Sequence, residues 1–395
     1  MTTGLVFATN FVHYFLHGFY PYMTIDELLR HPILDLPHNW RDTQEPSYYH
    51  YIIHKGQEYL KLLASVDELV IDGRNSYMGQ LSHVQMVHNT ALSLHNALVH
   101  CLRLYLDSGS PSTAYEAFEQ HFVDDRPAAA LLSPSSYLTS LVMRPDMVFY
   151  RLRFSNEPLT NARDLFHIPF DKRFLVRPQR YSISGFPCLY AASSVLLAYR
   201  ELRADSWEPT LHAAKLRAVA APIQQLVLLD LRNRVADMRQ RYLRRDATYD
   251  GRLMHFLVNW LLTMATSVPI NDRDGFHEEY VLPQIFLEWV KKSQRQRADK
   301  GKPGIHPGFD GIAFSSSRAP AEPAYAGAYN IVIPVHHSNP RGWCEVRTQQ
   351  IELSAPITIR DLAAGTTDGN PTVEQYGQWM EQALAAQPFT AIKSV

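Results

Sequence analysis

The chain has 395 residues, of which 46% are hydrophobic and 19% charged, with a formal net charge of −1. This is the composition of a well-packed globular protein longer than one usual domain. The near-neutral balance removes any global drive toward nucleic acid or an anionic membrane. The three cysteines, Cys101, Cys188 and Cys344, are few, odd in number and widely spaced, which argues against a disulfide framework and fits a reducing, cytoplasmic setting.

No apolar run approaches the ~18 residues that span a bilayer, so no membrane association is expected. The aromatic first 22 residues lack a basic leader and are broken by His13, His17 and Gly18. They do not read as a signal peptide and suit packing against a core or a partner. Residues 49–70 and 82–107 carry apolar positions at intervals of three and four, predicting two helices, the second capped by Ser82. A further helix is expected from Pro111 and Ser112 onward. Pro127 and Pro134 mark the expected boundary of a helical N-terminal domain, residues 1–140.

Beyond that boundary the pattern changes. Phe149–Phe154 alternates like a strand, with Tyr150 and Leu152 on one face and Phe149, Arg151 and Arg153 on the other. Arg180 opens a turn containing Gly185 and Pro187, Cys188–Ala192 reads as a strand, and an apolar helix follows that carries Glu201. Residues 222–231 read as a buried strand, 232–246 as an arginine-rich helix, 253–265 as an apolar helix, and 278–292 as the start of another. Residues 291–304 are expected to be a solvated linker. Strands are expected near 309–317, 328–335 and 350–359, and a helical tail over 366–395. Strands and helices do not alternate regularly, so the fold class is α+β.

Two constellations could carry chemistry. Glu201 shares a helical face with Leu197 and Ala198, which turns it toward the core; the alternative is a solvent-facing glutamate paired with Arg200 or Arg203. Arg151 and Arg153 beside Phe149 suit oxyanion recognition, because a guanidinium binds phosphate bidentately; the alternative is an edge strand with solvated arginines. His83, His88, His95 and His100 share one helix, but only His88 and His95 share a face, and seven residues is not the spacing of a helical zinc pair. No metal site is expected. Arg232–Arg245 reads as a solvated or salt-bridged face, so no nucleic-acid partner is expected. P-loop, GxSxG, CxxC and dinucleotide-fingerprint motifs are absent.

Taken together, Tyr150-Arg151, the Arg180-Tyr181-Ser182 turn with Gly185, Leu189-Tyr190-Ala191 and Glu201 resemble the RES domain, a family named for its Arg, Glu and Ser residues. The stretches 280–290, 309–317 and 329–335 are similar to downstream pieces of longer RES proteins, in the same order, so the resemblance covers roughly residues 145–360. The family serine is missing from its usual place, where this chain has Val281, Leu282, Pro283 and Gln284. Ser315, Ser316 and Ser317, just after Asp310-Gly311-Ile312, are the candidates to replace it.

The resemblance implies an ADP-ribosyltransferase-like core of small β-sheets over residues 141–365. It implies cleavage of the nicotinamide–ribose bond of NAD+ as substrate, by phosphate or water, with no bound cofactor. Glu201 and Arg151 would be catalytic, with Arg180, Tyr190, Tyr150, Tyr181, Ser182 and Ser316 holding NAD+. Such proteins act as bacterial toxins or defence effectors that deplete NAD+, which makes an antitoxin or immunity protein and a homo-oligomer the expected partners. The alternatives are transfer of ADP-ribose to a macromolecule, or nucleotide binding without turnover.

Overall fold

The computed structural model describes residues 23–66, 83–124, 140–202, 210–220, 225–244, 249–270, 275–300, 308–318, 325, 327–336, 341–362 and 371–392. The aromatic start, the Ser82 cap, the Pro127–Pro134 boundary and Arg203 lie outside the described residues.

Among the described residues, helices α1 (Ile25–Arg30), α2 (Tyr48–Ala64), α3 (His83–Ser108) and α4 (Pro111–Asp124) come first. Strands β1 (Ser140–Val142), β2 (Phe149–Phe154) and β3 (Cys188–Ala192) follow, then α5 (Val195–Leu202), β4 (Leu211–Ala218) and β5 (Val227–Leu231). Three consecutive helices, α6 (Val235–Arg244), α7 (Tyr249–Ser267) and α8 (Val281–Lys300), lead to β6 (Gly311–Ser315) and β7 (Tyr329–Pro334). The chain closes with α9 (Glu345–Gln350), β8 (Ile351–Ser354), β9 (Ile357–Thr358), α10 (Val373–Ala386) and β10 (Phe389–Ala391). The α+β class and the helical N-terminal region are as the sequence predicts.

The ten strands among the described residues join one mixed sheet in the order β1-β5-β6-β7-β3-β2-β4-β8-β10, with β9 on β4. β5 and β6 pair in parallel, and the α6–α7–α8 crossover supplies the long connection that parallel strands require. β2 and β3 meet through one residue pair, Tyr150 with Ala192. This single pair hinges two smaller halves, β1-β5-β6-β7-β3 and β2-β4-β8-β10.

Period-two alternation assigns the sheet faces. Leu152 and Ala192 pack with Val195, Leu197, Met380 and Leu384 of α5 and α10. Phe149, Leu189, Ala191, Ala214 and Ile331 point the other way, onto Leu165 and Phe166. Ile312, Val332 and Leu229 complete the largest core, shared with α7, α8 and the N-terminal helices α2–α4. Buried Tyr48 and Tyr59 of α2 donate to the Ala265 and Leu257 carbonyls of α7, so the N-terminal helices are pinned to the crossover. Each such fully buried aromatic contributes about 1.5–3 kcal/mol from apolar burial, and its hydroxyl is satisfied.

Three expectations need correction. Helix α8 runs through Lys300, across residues assigned to a linker, because Lys, Gln, Arg and Ala favour helix and Pro303 comes only later. The strand expected over 350–359 is two strands, β8 and β9, broken at Ala355-Pro356, where proline cannot donate to the ladder. The helical tail ends in β10, which pairs with β8.

Candidate functional site

Strand β3, the turn before it and helix α5 build the region singled out from sequence. Ser182 accepts from the Gln179 N–H at 3.0 Å and donates to the Arg177 carbonyl at 3.2 Å, closing the turn internally. Gly185, at φ +73°, takes the left-handed conformation that redirects the chain into β3.

Arg180 reaches the end of α7. It donates to the Thr266 carbonyl at 2.7 Å, the Val268 carbonyl at 2.6 Å and Ser317 Oγ at 3.0 Å. Carbonyls at a helix C-terminus lack intrahelical donors and carry partial negative charge, so a guanidinium both caps and neutralises them. Arg180 is therefore an anchor that fixes Ser317, one residue from Ser316.

Glu201 sits at the centre of a polar cluster. Ser316 Oγ donates to Glu201 Oε1 at 2.6 Å, and Asn330 Nδ2 donates to the same oxygen at 2.7 Å. Arg318 Nε stands 3.9 Å from the other oxygen, Oε2, and the Glu201 side chain is 34% exposed. The Ser316 hydroxyl also accepts from the Arg318 N–H at 3.0 Å, which locks its proton toward Glu201. Two neutral donors thus orient one carboxylate oxygen, and the second lies beside an arginine.

The alternative pairing with Arg200 does not form; Arg200 Nε instead donates to the Tyr325 hydroxyl at 2.9 Å. Of the three candidate serines, Ser315 accepts from the Asn233 N–H at 2.9 Å and Ser317 from Arg180. Only Ser316 is bonded to Glu201.

The other predicted site residues make their contacts elsewhere, and none of them touches Glu201. Arg151 fills the gap where the β2–β3 ladder stops, donating from Nη1 to the Tyr190 carbonyl at 2.7 Å, while its buried Nε has no hydrogen-bond partner. Burial, and then the nearby Arg153, lower its pKa to about 10, which leaves it charged at neutral pH. Register places Arg151 beside Ala214 on the sheet face opposite Tyr150. Tyr150 lies over the α5–α10 side, where burial raises its hydroxyl pKa to about 12, with a smaller contribution from Glu381.

Tyr190 packs its ring against the main core. Its hydroxyl is buried beside Ser182 and the Tyr181 backbone without closing a well-formed hydrogen bond, and burial pushes its pKa well above the ordinary phenol value. Tyr181 is fully buried, with its ring 4.6 Å from Phe314. It supports the floor of the region and reaches no solvent.

Asn330 and Arg318 escaped the sequence reading. Asn330 had a readable signal, because a polar residue inside the apolar run of β7 needs a partner to be buried, and it is 4% exposed. Arg318 had none beyond its distance of two residues from Ser316. Of the histidines of α3, His95 bonds the Ile52 carbonyl at 3.2 Å in the core; no group of three or more His, Cys, Asp or Glu able to hold a metal occurs among the described residues.

The chain is 29% identical over 218 residues to a Bacillus subtilis (strain 168) protein named "Putative toxin YopC". The match covers 53% of this chain and 46% of that protein. The similarity is to a toxin-named protein. The chain thus spans less than half the length of that curated relative. No protein-family model matches the chain, and no solved structure matches it. No helix among the described residues is long and apolar enough to cross a membrane.

Proposed function

We propose that the protein is a toxin-type enzyme that degrades NAD+ by cleaving its nicotinamide–ribose bond. The observation that carries this reading is the Glu201 carboxylate, partly exposed, with Oε1 held by Ser316 and Asn330 and Oε2 beside Arg318. When the C1′–N bond breaks, nicotinamide leaves with the bonding electron pair as a neutral pyridine. Positive charge then develops on the ribose. A fixed carboxylate beside that ribose stabilises the charge without reorganising during the reaction. The cation is captured at C1′ by phosphate, giving ADP-ribose 1-phosphate, or by water, giving ADP-ribose and a proton.

Arg318, the arginine nearest Glu201, offsets repulsion between that carboxylate and an incoming anionic substrate or acceptor. Arg151 keeps one N–H of its fork unsatisfied in a buried setting, which favours an acceptor-rich ligand at the split between β2 and β3. Tyr190 and Tyr150 flank that split from the opposite face. A toxin role is supported by the similarity to the toxin-named Bacillus protein, and a neutralising partner would follow from such a role.

The test is incubation of purified protein with NAD+, in phosphate and in phosphate-free buffer, with products separated by chromatography. Release of nicotinamide together with ADP-ribose 1-phosphate or ADP-ribose is expected. Intact NAD+ after prolonged incubation sinks the proposal. Label from NAD+ accumulating on a macromolecule would place the protein with the ADP-ribosyltransferases instead.

A further inference from the structure

Among the described residues, β1 pairs with β5 as far as Leu229. Beyond Leu229, β5 meets α6 and α7 around a hollow lined by Arg232, Arg234, Arg252, His255, Asn259 and Trp260 among others. Arg252, His255, Asn259 and Trp260 follow the three- and four-residue spacing of one helical face.

The lining is rich in donors and poor in acceptors. Three guanidiniums meet one lining carboxylate, Asp230. Asp230 is already engaged by Arg232 through two bonds of 2.7 Å, with Arg234 at 3.6 Å. Arg252 has no ion-pair partner among the described residues. Trp260 is 1% exposed, yet its indole N–H finds no acceptor, and His255 Nδ1 and Asn259 Oδ1 are likewise buried without partners. Buried polar groups in native structures are nearly always satisfied, and each orphan costs about 1–3 kcal/mol. Arg232 is paired with Asp230 and Arg234 also bonds Asp237 at 3.0 Å, so the orphaned Trp260 indole N–H beside Arg252 is the feature that calls for a ligand bringing acceptor oxygens.

We propose that this hollow is a binding site for a phosphate-type oxyanion, either inorganic phosphate or the phosphate of a nucleotide. Arginines converging on one point match the spread of oxygens on a tetrahedral phosphate, and Trp260 adds a neutral donor. The site is separate from the Glu201 cluster and lies one strand away. Asn233, next to Arg232, is tied to Ser315, the residue before Ser316. The inference does not rest on NAD+ cleavage, since it is read by binding alone.

The experiment labels the protein with 15N-tryptophan, assigns the Trp260 indole resonance with Trp260→Phe, and titrates it at constant ionic strength with inorganic phosphate, ADP or adenosine. Calorimetry runs in parallel. A saturable shift of the Trp260 signal with phosphate and ADP, but not adenosine, is expected. A shift with ADP alone would assign the phosphate to a nucleotide. Arg252→Gln should weaken binding about tenfold, the loss of one charge-assisted contact. Glu201→Gln should bind as wild type. No shift with either phosphate compound, unchanged binding by Arg252→Gln, or lost binding in Glu201→Gln would overturn the proposal.

Discussion

Ser316 and Glu201, 115 positions apart in the chain, are joined by a hydrogen bond of 2.6 Å from the serine hydroxyl to Oε1. The bond crosses from the end of β6 to the last turn of α5. It is possible because Arg180 holds Ser317 and the Arg318 N–H holds Ser316. Asn330, on the neighbouring strand β7, donates to the same oxygen.

Removing these donors should cost turnover, not folding. Ser316→Ala and Asn330→Ala are each expected to slow nicotinamide release by about tenfold to a hundredfold, the usual effect of deleting one preorganised contact at a developing charge. The double variant should be slower than either but non-additive, because both act on one oxygen. Steady-state kinetics with unchanged thermal unfolding would support this; full activity in the double variant would refute it.

Arg180 should behave differently. Its guanidinium is committed to the Thr266 and Val268 carbonyls and to Ser317, so Arg180→Met leaves the end of α7 uncapped. A loss of about 1.5–3 kcal/mol per charged hydrogen bond removed is the upper range for such contacts, and urea unfolding measures it. A variant as stable as wild type but weaker for NAD+ would mean that Arg180 binds substrate directly.

Acid should destabilise the fold over a defined window. Burial lowers the pKa of His167, and of His255, to about 4 from an ordinary 6.5. The unfolded chain therefore binds protons that the native state refuses. Stability is fully present above pH 6.5 and falls as pH drops toward 4, by about 3 kcal/mol for a fully buried histidine. His167→Gln, which keeps an acceptor for the Cys344 N–H, should flatten that slope in denaturant titrations at several pH values. An unchanged slope would show that other groups carry the dependence.

Gly311 should tolerate no side chain. A Cβ there would lie 2.3 Å from the Val332 carbonyl oxygen, a backbone atom inside the β6–β7 ladder that cannot step aside. Gly311→Ala is expected to lower the melting temperature by several degrees, as ~1–3 kcal/mol of overpacking does, and a neutral result would contradict the strand register.

Much of this was legible before the structure, for physical reasons specific to each element. β2, β3, β6 and β7 were readable because their apolar or alternating runs have strand length, and α5 because Leu197, Ala198 and Glu201 share a face. β4 was not. Its sequence LHAAKLRA mixes small and basic residues, and Lys215 is buried only because its ammonium bonds the Ala385 carbonyl and sits 4.5 Å from the Phe389 ring. No local pattern announces such a distant partner. The same holds at the site: Glu201 could be singled out from helical spacing, but the choice of Ser316 over Ser315 and Ser317 depended on which strand ends meet. The single pair between Tyr150 and Ala192, which opens the split where Arg151 lies, is likewise a property of the assembled sheet.

The most direct test is nicotinamide release from NAD+ by wild type and Glu201→Gln, measured side by side by chromatography. Wild type should consume NAD+, and the variant, isosteric but uncharged, should be slower by at least about a hundredfold while unfolding at the same temperature. Equal rates from the two proteins, or no release by wild type, would contradict the account.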